Sequence, residues 1–110
     1  MKIHLIKKQT IEEYTHKNTQ SKTAFASWVE IIKWAEWNEP SDIVRTFNNA
    51  DILGKSSQRV VFNIGGNKYR MICSYHFGKG RVHLFVKWIG THAKYTKLCN
   101  TGNQYTINTF

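Results

Sequence analysis

The sequence predicts an α+β domain in which a first strand and two helices pack on one face of a C-terminal antiparallel meander. Two observations carry this reading: apolar residues recur at spacings of three and four between residues 21 and 35, and the period changes to two after Gly54. Length is the third. A chain of 110 residues, 41% hydrophobic and 14% aromatic, can build one core, so residues 1–110 are expected to form a single domain. Residues 98–110 form a tail whose structure the pattern leaves open.

The elements follow in order. Met1–Ile6 suits a short strand. Thr10 and Glu13 have the spacing of a capping box and predict a helix from Thr10 to about Lys17. Asn18–Ser21 is polar and turn-like. A second helix then places Phe25, Trp28, Val29, Ile32 and Ala35 on one stripe. Pro40 disfavours helix at Glu39, so this helix is expected to end near Trp37. Ser41–Ile52 reads as irregular chain with a helical turn. Residues 59–64, 69–77 and 82–89 alternate as three strands, joined by Gly65-Gly-Asn-Lys68 and Gly78-Lys-Gly-Arg81. Gly65–Lys68 lacks the length and the following helix of a phosphate-binding loop, and is a hairpin turn. Trp28, Trp34 and Trp37 read as core and helix packing, with an apolar helix edge that also suits a partner segment.

Composition excludes several classes. No apolar run approaches the length of a membrane span, and Met1–Lys8 is too short and too interrupted for a secretory signal. Cys73 and Cys99 have neither metal spacing nor a disulfide framework. A reducing, cytoplasmic setting with free thiols is expected. The charge is segregated. All seven acids lie in residues 1–51 beside seven Lys/Arg, whereas residues 52–110 hold nine Lys/Arg and no acid, so the whole net charge of +9 sits there. Such uncompensated charge points to a polyanionic partner.

Four-residue loops pair Ile64 with Tyr69 and Phe77 with Val82, which fixes the faces of the meander. One face, from Val60 to Trp88, is nearly all apolar and should lie beneath the helices. The other carries Arg59, Val61, Asn63, Arg70, Ile72, Ser74, His76, His83, Phe85, Lys87 and Ile89. Cations and imidazoles interleaved with Phe85 and Ile72, with no Asp or Glu among them, suit a surface that grips phosphates and lets bases stack.

Val60-Val-Phe-Asn-Ile-Gly-Gly-Asn-Lys-Tyr-Arg70 and Ile89-Gly-Thr-His-Ala-Lys-Tyr95 closely resemble the HigB-type toxins of the RelE/ParE superfamily. Trp37–Asp42 and Phe47–Asp51 share the likeness, which spans roughly residues 1–97. Thr96 stands where members of the family often carry an acid. The resemblance implies a RelE/ParE-like fold and a type II toxin that cuts messenger RNA, generally on the ribosome. It also implies an antitoxin partner, commonly a helix-turn-helix protein of the HigA type. ParE-like relatives instead poison gyrase, and a non-catalytic basic RNA-binding module remains open on the charge pattern alone.

Metal-free RNA cleavage has the ribose 2′-OH attack its own phosphodiester. It needs a proton acceptor, a proton donor and cations on the developing charge. No carboxylate cluster suits magnesium, so neither metal nor cofactor is expected. On the family-matching segments His92 is the candidate acid or base, Tyr95 a hydroxyl or stacking ring, and Arg70 the phosphate clamp. Lys87 joins the catalytic set. Arg59, Lys68, His76, His83, Lys94 and Lys97 are candidate RNA contacts, with His76 and His83 facing each other across their hairpin.

Overall fold

In the computed structural model, which describes residues 1–110, the chain runs β1 (Lys2–Ile6), α1 (Lys8–Lys17), α2 (Lys22–Trp34), α3 (Pro40–Thr46), β2 (Asp51–Leu53), β3 (Arg59–Ile64), β4 (Tyr69–Phe77), β5 (Arg81–Thr91) and α4 (His92–Asn100). The strands form one sheet in the order β1-β5-β4-β3-β2. β1 lies parallel to β5, and the remaining pairs are antiparallel. The α+β prediction holds, and the meander has the expected register, Ile64 opposite Tyr69 and Phe77 opposite Val82. Gly65 and Gly66, with φ of 65° and 68°, take the left-handed conformation that the first tight turn needs.

The first three helices cover one face of the sheet. Phe25, Trp28 and Ile32 of α2 are buried with Val60, Phe62, Met71, Leu84 and Val86 of the strands. The ring of Trp28 meets Phe62 at 5.1 Å and Phe47 at 5.9 Å, locking α2 and the α3 exit onto β3. Trp37 is wholly buried and its indole N–H donates to Thr46 at 2.9 Å, but Trp34 is 68% exposed, which corrects its assignment to the core. α2 ends at Trp34, three residues before the expected stop.

Three local readings change. α1 begins at Lys8 and not Thr10, because Lys7 takes a left-handed conformation that turns β1 directly into the helix, and the Thr10 amide already bonds the Lys7 carbonyl. Glu13 accepts from Gln9 one turn back. Pro40 opens a helix as well as closing one. It occupies the first turn of α3, where its missing N–H costs nothing, and Glu39 with Asp42 forms the capping box. Ser41–Ile52 is therefore α3 plus the edge strand β2, not irregular chain.

The largest departure lies in β5. Ile72 pairs with Trp88 and Cys73 with Val86, so Lys87 is the extra residue of a β-bulge. Beyond it the side-chain parity inverts. Ile89 enters the main core and Trp88 moves to the opposite face, the reverse of the positions expected from strict alternation. That opposite face is not open either. Leu53, Val61 and Ile72 form a second small core closed by Trp88, Tyr95, Leu98, Tyr105 and Ile107. α4 and residues 103–110 thus make a third layer.

The last residues cross the strands as a strap. Arg59 Nη1 donates to the carbonyls of Gln104 at 3.2 Å and Ile107 at 2.7 Å. The carbonyl of Lys87, left free by the bulge, accepts from the Thr109 amide at 2.9 Å, and Phe110 packs against the main core. Both cysteines are free thiols; Cys73 lies in the core, where burial pushes its pKa up. No helix is long and apolar enough to cross a membrane.

Candidate active site

The site is built where β5 passes into α4. Thr91 ends the strand in an extended conformation, and its hydroxyl accepts from the Lys94 amide at 3.3 Å, capping the helix. The His92 amide donates to the Lys68 carbonyl at 3.0 Å, so the β3–β4 turn fixes the start of α4. His92 is the first residue of the helix and is exposed. Thr96 donates its hydroxyl to the His92 carbonyl at 3.1 Å, within the same helical turn.

Tyr95 and Leu98, three residues apart, turn to the sheet and seat α4 on the second core. The Tyr95 ring lies 6.1 Å from that of Trp88. Its phenol is held well above the ordinary value of 10.0, first by burial, then by the hydrogen bond and charge of Cys99 and by the charge of Asp51; Arg70 opposes them. Tyr95 is therefore a neutral hydroxyl at any physiological pH, able to donate a proton or hydrogen bond.

Arg70 shares a row with Asn63 and Gly90 on the same face. Only 8% exposed, it makes one protein hydrogen bond, to the Tyr69 carbonyl at 3.2 Å. A guanidinium has five N–H donors. Most of them remain free for an anion. Gly90 keeps the row shallow: a Cβ there would lie 2.5 Å from the Trp88 indole, which folds back over the glycine.

Arg70 and Tyr95 thus lie within electrostatic reach of each other at one end of the outer face, His92 opens α4 one turn before Tyr95, and Lys68 and Lys94 are exposed nearby. Lys97 is exposed in the last turn of α4, where its charge suits the helix dipole. Lys87 does not join them. Four residues of strand, about 13 Å, separate it from Thr91. Its ammonium lies 5.6 Å from the Phe85 ring centroid. Arg59 is also removed from the open surface. It is 8% exposed, burial lowers its pKa, and its guanidinium holds the strap. His76 and His83 do face each other, with rings 6.2 Å apart, but they lie at the far end of β4 and β5.

Asp51 is an acid beside the site that the strand pattern missed. β2 pairs Asp51 with Val61 and brings a carboxylate to the face that had looked free of acid, within electrostatic reach of Tyr95. The signal was faint because a three-residue edge strand has no readable alternation. No group of three or more His, Cys, Asp or Glu side chains is arranged to hold a metal ion.

Residues 21–98 match the family described as HigB_toxin, the RelE-like toxic component of a toxin-antitoxin system. The chain belongs to the HigB toxin family. This HigB-family chain is 32% identical over 96 residues to the "mRNA interferase HigB" of Escherichia coli O6:H1, covering 87% of the chain and 91% of that protein. It is 24% identical over 93 residues to the "mRNA interferase HigB" of Shigella flexneri, covering 84% and 88% respectively. The family match contains Arg70, His92 and Tyr95 and stops before the strap. Membership implies a cognate antitoxin for this HigB-type toxin.

Proposed function

We propose that this chain is an endoribonuclease toxin that cuts messenger RNA on the ribosome, without metal, by attack of the ribose 2′-OH on the adjacent phosphodiester. The placement of Arg70 beside Tyr95, with His92 one turn earlier at the start of α4, carries the reading. It joins a free guanidinium, a neutral phenol and an imidazole on a strongly basic half-domain. The relatives' name, mRNA interferase, supports the substrate.

In the step proposed, His92 accepts the 2′-OH proton as the 2′-oxygen bonds to phosphorus. The bond from phosphorus to the 5′-oxygen breaks, leaving a 2′,3′-cyclic phosphate, and Tyr95 supplies the proton that the departing oxygen takes. Arg70 lies against the phosphoryl oxygens, whose charge grows in the transition state. An antitoxin, of the helix-turn-helix kind that the resemblance implies, restrains the toxin in the cytoplasm.

The test is induction in a bacterial host, followed within minutes by primer extension on abundant transcripts. New 5′-hydroxyl ends inside translated regions, abolished by His92→Ala and strongly reduced by Tyr95→Phe, are expected. Growth arrest with intact transcripts would refute cleavage and favour a gyrase target. An unchanged cleavage pattern in both variants would refute the site.

A further inference from the structure

A second group of residues occupies the far end of the same sheet face. His4 of β1 pairs with His83 of β5, and His83 pairs with His76 of β4, so three histidines stand in one row across three adjacent strands. The rings of His4 and His83 meet edge-on at 5.5 Å; those of His83 and His76 lie nearly parallel at 6.2 Å. Phe85 continues the row along β5, its ring 6.5 Å from that of His83. His4 and His76 are exposed, and the Nδ1 of the half-buried His83 is enclosed without a hydrogen-bond partner.

Beside this row lies a groove of about 380 Å³ lined by Lys2, Ile3, His4, Gly80 and Arg81. Lys2 and Arg81 are register partners, so two cationic residues stand side by side in its lining. Neither has a carboxylate partner, since the only ion pair in the chain joins Arg45 to Asp42. The acid nearest in the backbone, Glu36, meets Lys2 through a main-chain bridge, and the Lys2 ammonium lies 6.0 Å from the Trp34 ring. The histidines do not gather round a common point for a metal. Flat rings open on one side, beside paired cations that form no salt bridge, match a single-stranded nucleic acid: bases on the rings, phosphates in the groove.

We propose that the His4–His83–His76 row and the Lys2–Arg81 groove form a second RNA subsite, which holds nucleotides several positions away from the scissile bond. The inference rests on the RNA-cleaving reading above. Along β5, His83 and Thr91 are eight residues apart, about 26 Å. That span takes about eight stacked nucleotides at roughly 3.4 Å each. The strap lies between the two ends of the face, and its exposed residues are Asn103, Thr106, Asn108 and Thr109, so a strand passes over it without meeting an acidic side chain. The histidine row thereby gives the enzyme a preference for longer single strands.

The experiment measures binding of fluorescein-labelled oligouridylates of three and twelve nucleotides by anisotropy, over a range of salt. The wild-type chain is expected to bind the longer RNA more tightly. The ratio of the two affinities should fall by about tenfold or more in Lys2→Ala/Arg81→Ala and in His4→Ala/His76→Ala. The salt slope for the longer RNA should become shallower by roughly 0.7 for each phosphate contact removed. All four residues are exposed, so melting curves close to wild type are expected and serve as the control. An unchanged ratio and slope in both variants would overturn the second subsite and leave the catalytic reading standing, as would equal wild-type affinity for the two lengths. Failure of the wild type to bind either RNA would likewise overturn the second subsite, whereas the catalytic reading stands or falls on the primer-extension test above.

Discussion

Arg59 and Arg70 are each 8% exposed, yet their surroundings predict opposite responses to the same substitution. Arg59 Nη1 holds two strap carbonyls, at 3.2 Å and 2.7 Å. A hydrogen bond from a charged donor contributes about 1.5–3 kcal/mol, and both acceptors regain water once the strap loosens, so the low end applies and Arg59→Met should cost about 3 kcal/mol. For a chain of this size that lowers the melting temperature by roughly 10 °C. Arg70 has one neutral acceptor, the adjacent Tyr69 carbonyl. Replacing a largely desolvated cation that has so little compensation by an apolar chain of similar length should leave stability unchanged or raise it by about 1 kcal/mol. In the proposed mechanism its charge faces the scissile phosphate, so Arg70→Met should slow cleavage by about 100- to 1000-fold. The assay is a pair of thermal melts with single-turnover cleavage on programmed ribosomes. A melting temperature for Arg70→Met as low as that of Arg59→Met, or cleavage by it at the wild-type rate, would refute the reasoning.

Gly90→Ala sets a Cβ 2.5 Å from the Trp88 indole and should cost about 1–3 kcal/mol by urea unfolding. The cost should largely vanish in a Trp88→Leu background, and an equal cost in both backgrounds would mean that the indole is not what the glycine accommodates. Asp42 accepts the Asn38 amide at 2.8 Å and the Glu39 amide at 3.2 Å and pairs with Arg45, which together hold its carboxyl below the ordinary 3.8. A depressed folded-state pKa contributes stability above the unfolded value, and that stability is lost as pH falls through the folded value. The fall of the urea midpoint between about pH 4 and pH 2 should therefore be shallower in Asp42→Asn, whereas parallel curves would show that the cap does not titrate with folding.

The local signals were legible where one pattern dominates. The α2 stripe, the three strands of the meander, both hairpin turns and their register follow from spacing and turn chemistry, and the segments around Arg70 and His92 marked the family. The placement of the site depended on long-range partners. Lys87 looks like any alternating strand residue, and nothing local shows that β5 holds one residue more than β4 opposite it. That single insertion moves Trp88 to the outer face, and frees the carbonyl that anchors the strap. Arg59 and Arg70 are indistinguishable as outward-facing arginines until the strap covers one and the start of α4 frames the other. Asp51 enters the site only because a three-residue strand pairs with β3. Sequence by itself determined β1, the first two helices, the meander, the segregation of charge and the family, because periodicity and turn residues act within a few positions of the chain. Only the tertiary structure decided which polar residues of the outer face meet solvent, which hold the chain's own tail and which converge, because those outcomes depend on what packs across the strands from far along the chain.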